Sequence, residues 1–418
     1  MEQTAAQALL IIMAAAVLAP VLAELLRKWR IPSVLFELLL GILIGPAVLG
    51  WVEVDQFVGG LTQLGLAMLF FMAGYEINFS KLKGKPVKLG AIGWGISLAI
   101  ALVVGVGLAQ SGVVISSLLI GLALTTTAIG TLMPMLRDRG LLQSSFGAYI
   151  LAAGAIGEFG PVVAITILLG PSEPGSELLL LLAFAAIAAA VAAIASRPQP
   201  PAVIDLMRRH LSTSSQLPVR LLLFTLTGLV LLATTLGLDN LLGAFAAGII
   251  AKIALNKEQE EALEPKLEAI GFGFLIPVFF IVSGVKFDLE SLLSSPSTLL
   301  KVPVFLAMML LIRGLPALFL YRKVLTTRQR SALTFLQATA LPLLVVITQI
   351  GLESGQMRPG NAAALVGAGM LSVLIFPLLG FALLGKVEGA EPTDQTSVPP
   401  GQSEAIGPIG PIGPIGDN

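Results

Sequence analysis

Apolar residues in this chain run in blocks of about twenty, and charged residues fall almost wholly between them. A bilayer core about 30 Å thick takes roughly 20 apolar residues per helix, so each block predicts a membrane-spanning helix. The blocks lie at 6–26, 32–51, 57–77, 89–110, 113–136, 143–170, 177–196, 218–236, 239–256, 265–285, 297–321, 329–352 and 361–385. Turn and stop residues mark the joins: Arg30-Ile31-Pro32, Ser111-Gly112, Pro171 to Gly175, and the loop around Pro198, Pro200 and Pro201. The pattern therefore predicts an all-α membrane protein with about thirteen spans. No small-residue cleavage site follows the first block, so it predicts a retained helix and not a removable signal peptide.

Charge tests that count. With loops numbered alternately from an outside N-terminus, only Lys286, Lys301 and Arg358 of the 25 Lys and Arg fall outside, and Arg313 falls within a span. The rest, from Arg27, Lys28 and Arg30 to Arg322, Lys323, Arg328, Arg330 and Lys386, fall inside. That is the positive-inside bias, repeated loop after loop, and it predicts an inner (plasma) membrane protein with its N-terminus outside and C-terminus cytoplasmic.

Opposite-facing ends invite an inverted repeat, six spans either side of a central one. Span three ends Phe70-Phe71-Met72-Ala73-Gly74 with Phe79 and Leu82 following, and span ten ends Phe279-Phe280-Ile281-Val282-Ser283-Gly284 with Phe287 and Leu289 following. Span two carries Leu39-Leu40-Gly41 and span nine Leu241-Leu242-Gly243. Both matches are seven spans apart. They predict a transmembrane domain over 1–388, with repeat one at 6–170, a linker helix at 177–196 and repeat two at 218–385. The polar, Pro/Gly-rich tail at 389–418 is expected to be disordered, because it has too few apolar residues to bury.

Composition then removes several chemistries. Cysteine is absent and His210 is the one histidine, in a polar loop. Thiolate sites, disulfides, histidine metal sites and histidine triads are all excluded, and no cofactor is expected. A formal net charge of zero gives no ground for nucleic-acid binding. No zinc motif, paired catalytic aspartates or nucleophile elbow appears, so an enzyme is not expected.

A charge at mid-membrane costs roughly 2.5–3.5 kcal/mol, so most charges sit at span ends, where they can snorkel. Glu24, Glu76, Lys252, Lys286 and Asp288 read that way. Glu158 and Arg313 do not: Glu158 lies about 13 residues, or about 20 Å, from either end of span six, and Arg313 is comparably deep in span eleven. At similar depth on different helices they are expected to be charge partners. Glu158 then offers a site for a proton or a cation, while arginine stays charged and moves no proton itself. The competing reading is a structural salt bridge between two helices. Gly154, Gly157, Gly160 and Pro161 surround Glu158, where small residues serve a site or close helix packing equally well.

Mid-way along span five stand Thr125-Thr126-Thr127, poor helix formers whose hydroxyls can serve a cation or simply return to helix carbonyls. Seven spans on, Gln337-Ala338-Thr339-Ala340-Leu341-Pro342 interrupts span twelve. Polar-interrupted helices at matching places in two halves point to a transporter's binding site. Glu37, six residues into span two, reads better as a structural hydrogen-bonding group, with Ser33 one turn back.

Ile31-Pro32-Ser33-Val34-Leu35 through Gly41-Ile42-Leu43-Ile44-Gly45-Pro46, with Leu49-Gly50-Trp51, resembles the second-span signature of Kef-type monovalent cation:proton antiporters. Phe71-Met72-Ala73-Gly74-Tyr75-Glu76, Leu242-Gly243-Ala244-Phe245-Ala246-Ala247-Gly248 and Ile276-Pro277-Val278-Phe279-Phe280 resemble the family's third, ninth and tenth spans. The resemblance covers essentially the whole membrane domain. It implies the sodium/proton antiporter fold, with two inverted six-helix repeats and crossed broken helices at spans five and twelve. It also implies cation/proton exchange by an elevator-like shift of a core domain, usually in a homodimer. By the same resemblance the cation-binding acid, and so the metal ligand, falls on Glu158, its basic partner on Arg313, and the supporting residues on Thr125, Thr126, Thr127, Gln337, Thr339 and Pro342. The expected partners are a monovalent cation (K+ or Na+), the proton and the lipid bilayer, and the basic inner loops leave room for a separate regulatory subunit. One departure stands out. The family usually has aspartate preceded by Asp, Asn or Gln, whereas this chain has Gly157-Glu158. One acid in place of two favours one-for-one, electroneutral exchange. The competing functions are an ion-coupled organic-solute carrier of the same fold and a non-transporting sensor.

Overall fold

The computed structural model describes residues 5–26, 31–76, 84–169, 174–197, 209–210, 213 and 215–385. The expected tail at 389–418 and the loop residues Arg27, Lys28, Arg30, Lys81, Lys83, Arg208 and Lys386 lie outside that set. Among the described residues the regular structure is helical. Among these described residues nine helices are long and apolar enough to cross a membrane, and four shorter apolar helices stand at the second, fifth, ninth and twelfth expected spans.

In chain order the helices are α1 (Ala5–Leu25), α2 (Ser33–Ile44), α3 (Gln56–Tyr75), α4 (Lys85–Gln110), α5 (Ser117–Leu124), α6 (Ile129–Asp138), α7 (Ser145–Leu169) and α8 (Pro174–Ala195). There follow α9 (Leu217–Thr235), α10 (Asn240–Ala254), α11 (Lys257–Ile270), α12 (Ile276–Val285), α13 (Pro296–Met309), α14 (Leu315–Leu320), α15 (Thr327–Leu336), α16 (Pro342–Glu353) and α17 (Pro359–Leu384). Starts follow capping chemistry. The Asp55 carboxylate accepts from Val58 N–H, Ser116 Oγ from Leu119 N–H, and Asn256 with Gln259 and Thr326 with Gln329 form reciprocal boxes.

Four expected spans differ from the helices found. Span two ends early, at Ile44, because Gly45-Pro46 breaks the helix. The chain folds back there, with Trp51 N–H donating to Ile44 O. Spans five and twelve are each two helices with an open segment between. Span ten is longer than expected: it begins at Lys257 in the polar α11 and runs through a π-helical turn, Gly271–Leu275, into apolar α12.

The helices sort into two packed groups. One holds α1, α2, α3 and α9–α12; the other holds α4–α7 and α13–α17; α8 touches α7 of the second and α10 of the first. The first group is closed by two bare backbone crossings. A Cβ on Gly41 would strike Ile281 O and Gly284 Cα, and a Cβ on Gly248 would strike Phe71 O and Tyr75 N, with Gly284 and Gly74 blocked reciprocally. Hydrogen side chains let α2 meet α12, and α3 meet α10, at backbone contact, which is how helices gain van der Waals energy where lipid removes the hydrophobic drive. Leu10, Val103, Phe224 and Phe319 lie on the outer surface, each at least two-thirds exposed. In a bilayer these are lipid contacts.

Candidate functional site

The two open segments meet each other. Three consecutive β-branched residues end α5, and Thr125 and Thr126 donate their hydroxyl protons back to Leu122 O (2.8 Å) and Ala123 O (2.9 Å). Both are buried. The backbone then leaves helical geometry, and α6 begins at Ile129 with no side-chain cap from Ala128. Across from it, α15 stops at Leu336 and α16 restarts at Pro342, whose missing N–H costs nothing at a first helical turn.

Backbone polar groups freed by the breaks are met by the other elements, as they must be at membrane depth. Ala128 N–H donates to Thr339 O at 2.8 Å, tying one break directly to the other, and Thr127 N–H donates to Gly157 O at 3.0 Å. Ala340 N–H donates to Ser372 Oγ at 3.1 Å, and that hydroxyl donates to Gly369 O at 2.7 Å. Thr339 is fully buried, its hydroxyl turned to Phe335 O at 3.4 Å.

Arg313 binds this crossing together. It sits in a π-helical turn, Leu310–Gly314, between α13 and α14, and is 1% exposed. Its Nε donates to Thr127 Oγ1 at 2.8 Å and its Nη2 to Ala153 O at 2.6 Å. Thr127 Oγ1 in turn donates to Gln337 O at 2.5 Å, and Gln337 Nε2 donates to Arg313 O at 2.5 Å. Thr127, Gln337 and Arg313 thus close a ring of hydrogen bonds linking spans five, eleven and twelve. The charge is met by oxygens of neutral groups.

The expected Glu158–Arg313 pair is not what the structure builds. Among the described residues no ion pair joins them. The guanidinium lies against the Ala153 and Gly157 face of α7, and the Glu158 carboxylate faces Ile129, at the start of α6. The physical reason is rotation about the helix. Glu158 is one residue past Gly157, hence about 100° round α7. Equal depth did not mean equal direction. The carboxylate instead meets the positive end of the α6 dipole, a favourable place for a negative charge.

Gly154, Gly157 and Gly160 of α7 are spaced by three, and each makes room for side chains packed against it. A Cβ on Gly154 would meet Ile129, one on Gly157 would meet Arg313 Nη2 and Thr127 Oγ1, and one on Gly160 would meet the Trp94 ring. Gly157 therefore leaves open the space that the guanidinium occupies. Among the described residues no cluster of three His, Cys, Asp or Glu could hold a metal ion. A cation at the crossing would rely on Glu158 with hydroxyl and carbonyl oxygens, the donor set that hard cations prefer. Glu37 hydrogen-bonds Ser33, as its sequence position suggested.

Sequence reasoning passed over Glu76, Ser372 and Trp94. Glu76 was set aside as a span-end charge, yet its Oε2 is buried with no hydrogen-bond partner. A signal was present: Glu260, Glu264 and Glu268 recur every four residues on α11, one acidic stripe that needs something to face.

Helices broken at matching places and crossing at mid-depth beside an ionisable residue are the construction of secondary transporters. Comparison with known proteins narrows the class. The family model described as "Sodium/hydrogen exchanger, transmembrane" matches residues 13–386, and the chain belongs to that family of monovalent cation:proton antiporters. A relative from Bacillus subtilis (strain 168) is 27% identical over 90% of this chain, which spans 63% of that relative's length. An Enterococcus hirae protein named "Na(+)/H(+) antiporter" is 27% identical over 84% of this chain and 92% of its own. In fold the chain is similar to the sodium proton antiporter MjNhaP1 from Methanocaldococcus jannaschii, with TM-score 0.60, 17% identity, and coverage of 90% of this chain and 99% of that one.

Proposed function

We propose that this protein exchanges a monovalent cation, Na+ or K+, for a proton at Glu158. The observation that carries the reading is the position of that carboxylate: the acid of the crossing, facing the N-terminus of α6, with Arg313 turned to the Ala153 and Gly157 face of the same helix and satisfied by neutral oxygens. One carboxylate takes one proton or one monovalent cation, so the exchange is one for one and electroneutral. Arg313 stabilises the empty, ionised site without titrating.

The division of helices into two groups supports movement of the α4–α7 and α13–α17 group against the other, an elevator-type alternating access about linker α8. The repeats run 6–170 and 218–385. The face carrying Arg137, Lys252 and Arg330 is cytoplasmic and the N-terminus is outside, as the basic loops require. The working form is a homodimer, as the family resemblance implies.

The test is dissipation of a pH gradient in proteoliposomes on adding Na+, K+, Li+ or Rb+, wild type beside Glu158→Gln. Flux in the wild type that the variant lacks supports the reading, and the ion ranking names the substrate. A silent wild type with every ion overturns it.

A further inference from the structure

A cavity of about 160 Å³ opens between the two helix groups on the basic face. One wall is α3, α10 and α11 and the other is α6 and α7. It reaches inward to Ile129, which Glu158 faces, and to Ala155, one turn of α7 before Glu158. Glu76 lines it from the end of α3. Its Oε2 and the neighbouring Tyr75 hydroxyl are both buried with no hydrogen-bond partner. The charges that act on Glu76 come from every wall: Arg137 on α6, Lys252 on α10, and Glu264 and Glu268 on α11. Lys252 is already engaged, 2.6 Å from Glu260 and 4.8 Å from the centre of the Tyr75 ring. Glu76 is also close enough to Glu158 for the two charges to interact.

A second cavity, about 220 Å³, is lined by the end of α12 with α16 and α17. Its residues stand where repeat two would place the counterparts of the first: Ser283 for Ala73, Lys286 for Glu76, Gln349 for Arg137. Because α3 and α12 are seven spans apart they run in opposite senses, so the two cavities open on opposite faces. Their chemistry differs at the key position. Lys286 is exposed, and the acids of this second cavity are satisfied: Asp288 accepts from Ser291 N–H and Oγ, Glu353 from Gln349 Nε2. Among the described residues that line the two cavities, only Glu76 is a carboxylate with a buried, unmet oxygen.

We propose that Glu76 is a cation-binding carboxylate of the entrance on the basic face, holding the arriving monovalent cation beside Glu158 and lowering the KM for that cation on this face alone. Two carboxylates near enough to interact, one lining the cavity and one just beyond its inner end, repel each other when both are bare, and a small cation near both removes the repulsion. A buried negative charge also raises the local cation concentration, which the exposed Lys286 on the other face does not. The inference rests on the exchange reading above and deepens it.

The chain has no cysteine, so Ser294→Cys with an impermeant thiol label reports orientation in proteoliposomes. Cation-dependent proton flux is then measured with the cation varied on one face at a time. Glu76→Gln is expected to raise KM about 3- to 10-fold on the basic face, with kcat and the KM of the opposite face within about twofold of wild type. Glu76→Asp keeps the low KM. Glu264→Gln with Glu268→Gln, on the polar face of α11, gives a smaller rise on the same face and guards against misfolding of the buried variant. An unchanged KM, or an equal rise on both faces, overturns the proposal while leaving exchange at Glu158 intact. A wild type that moves no cation fails the exchange reading itself.

Discussion

Replacing Thr127 with valine keeps the β-branched shape and removes the one hydroxyl that joins spans five, eleven and twelve. In the native crossing that oxygen accepts from Arg313 Nε at 2.8 Å and donates to Gln337 O at 2.5 Å. Valine leaves a buried guanidinium N–H unmet, at about 1.5–3 kcal/mol, and frees one carbonyl, at about 1 kcal/mol. Water is a poor substitute, because Thr127 is fully buried and Gln337 is 2% exposed. The loss is therefore about 2.5–4 kcal/mol, and Thr127→Ser, which keeps both bonds, loses well under half of that. Thermal unfolding of purified protein in detergent, followed by loss of the monodisperse peak, ranks the three proteins. Cation-dependent exchange should fall at least tenfold in the valine variant, since 1.4 kcal/mol of misplaced Arg313 is already a factor of ten. A valine variant that melts within about 1 °C of wild type, at unchanged exchange rate, refutes the ring as a stabilising element.

Other expectations follow from the same geometry. Arg313→Lys keeps the charge but cannot reach Thr127 Oγ1 and Ala153 O together, so both stability and exchange should drop, with Arg313→Gln lower still; equal activity in the lysine variant would mean that charge alone matters. Gly157→Ala sets a methyl against Arg313 Nη2 and Thr127 Oγ1, and should lower exchange more than it lowers melting temperature; the reverse order would mean that Gly157 serves packing only. Gly41→Ala drives a methyl into the backbone of Ile281 and Gly284, in the helix group that does not carry Glu158, and should cost about 1–3 kcal/mol while the KM for cation stays at the wild-type value in whatever protein folds. Ser372→Ala strands Ala340 N–H and should cost about 1–2 kcal/mol in the same melting assay.

Much of the fold was legible before any coordinates, and the reason is the solvent. In hydrocarbon each segment must satisfy its own backbone, so a span is written locally as a run of apolar residues, and its end as Gly, Pro or charge. The same locality exposed the two breaks, since Thr125-Thr126-Thr127 and Gln337 to Pro342 are poor helix whatever surrounds them. Depth, too, could be counted in residues, which is why Glu158 and Arg313 stood out. Direction could not be counted. Whether Arg313 turns to Glu158 or to Thr127 and Ala153 depends on where three other helices sit around α7, and Gly157 decides it by leaving room. Glu76 shows the same limit from the other side: a charge one turn from a span end reads as a snorkelling group until α6, α7, α10 and α11 close over it. The sequence by itself determined which segments cross the membrane and how deep each ionisable group lies, because those follow from single-helix energetics. Only the tertiary structure decided which oxygens meet Arg313, which helix start Glu158 faces and which carboxylate is left unmet in a cavity, because those are properties of the angle between neighbouring helices.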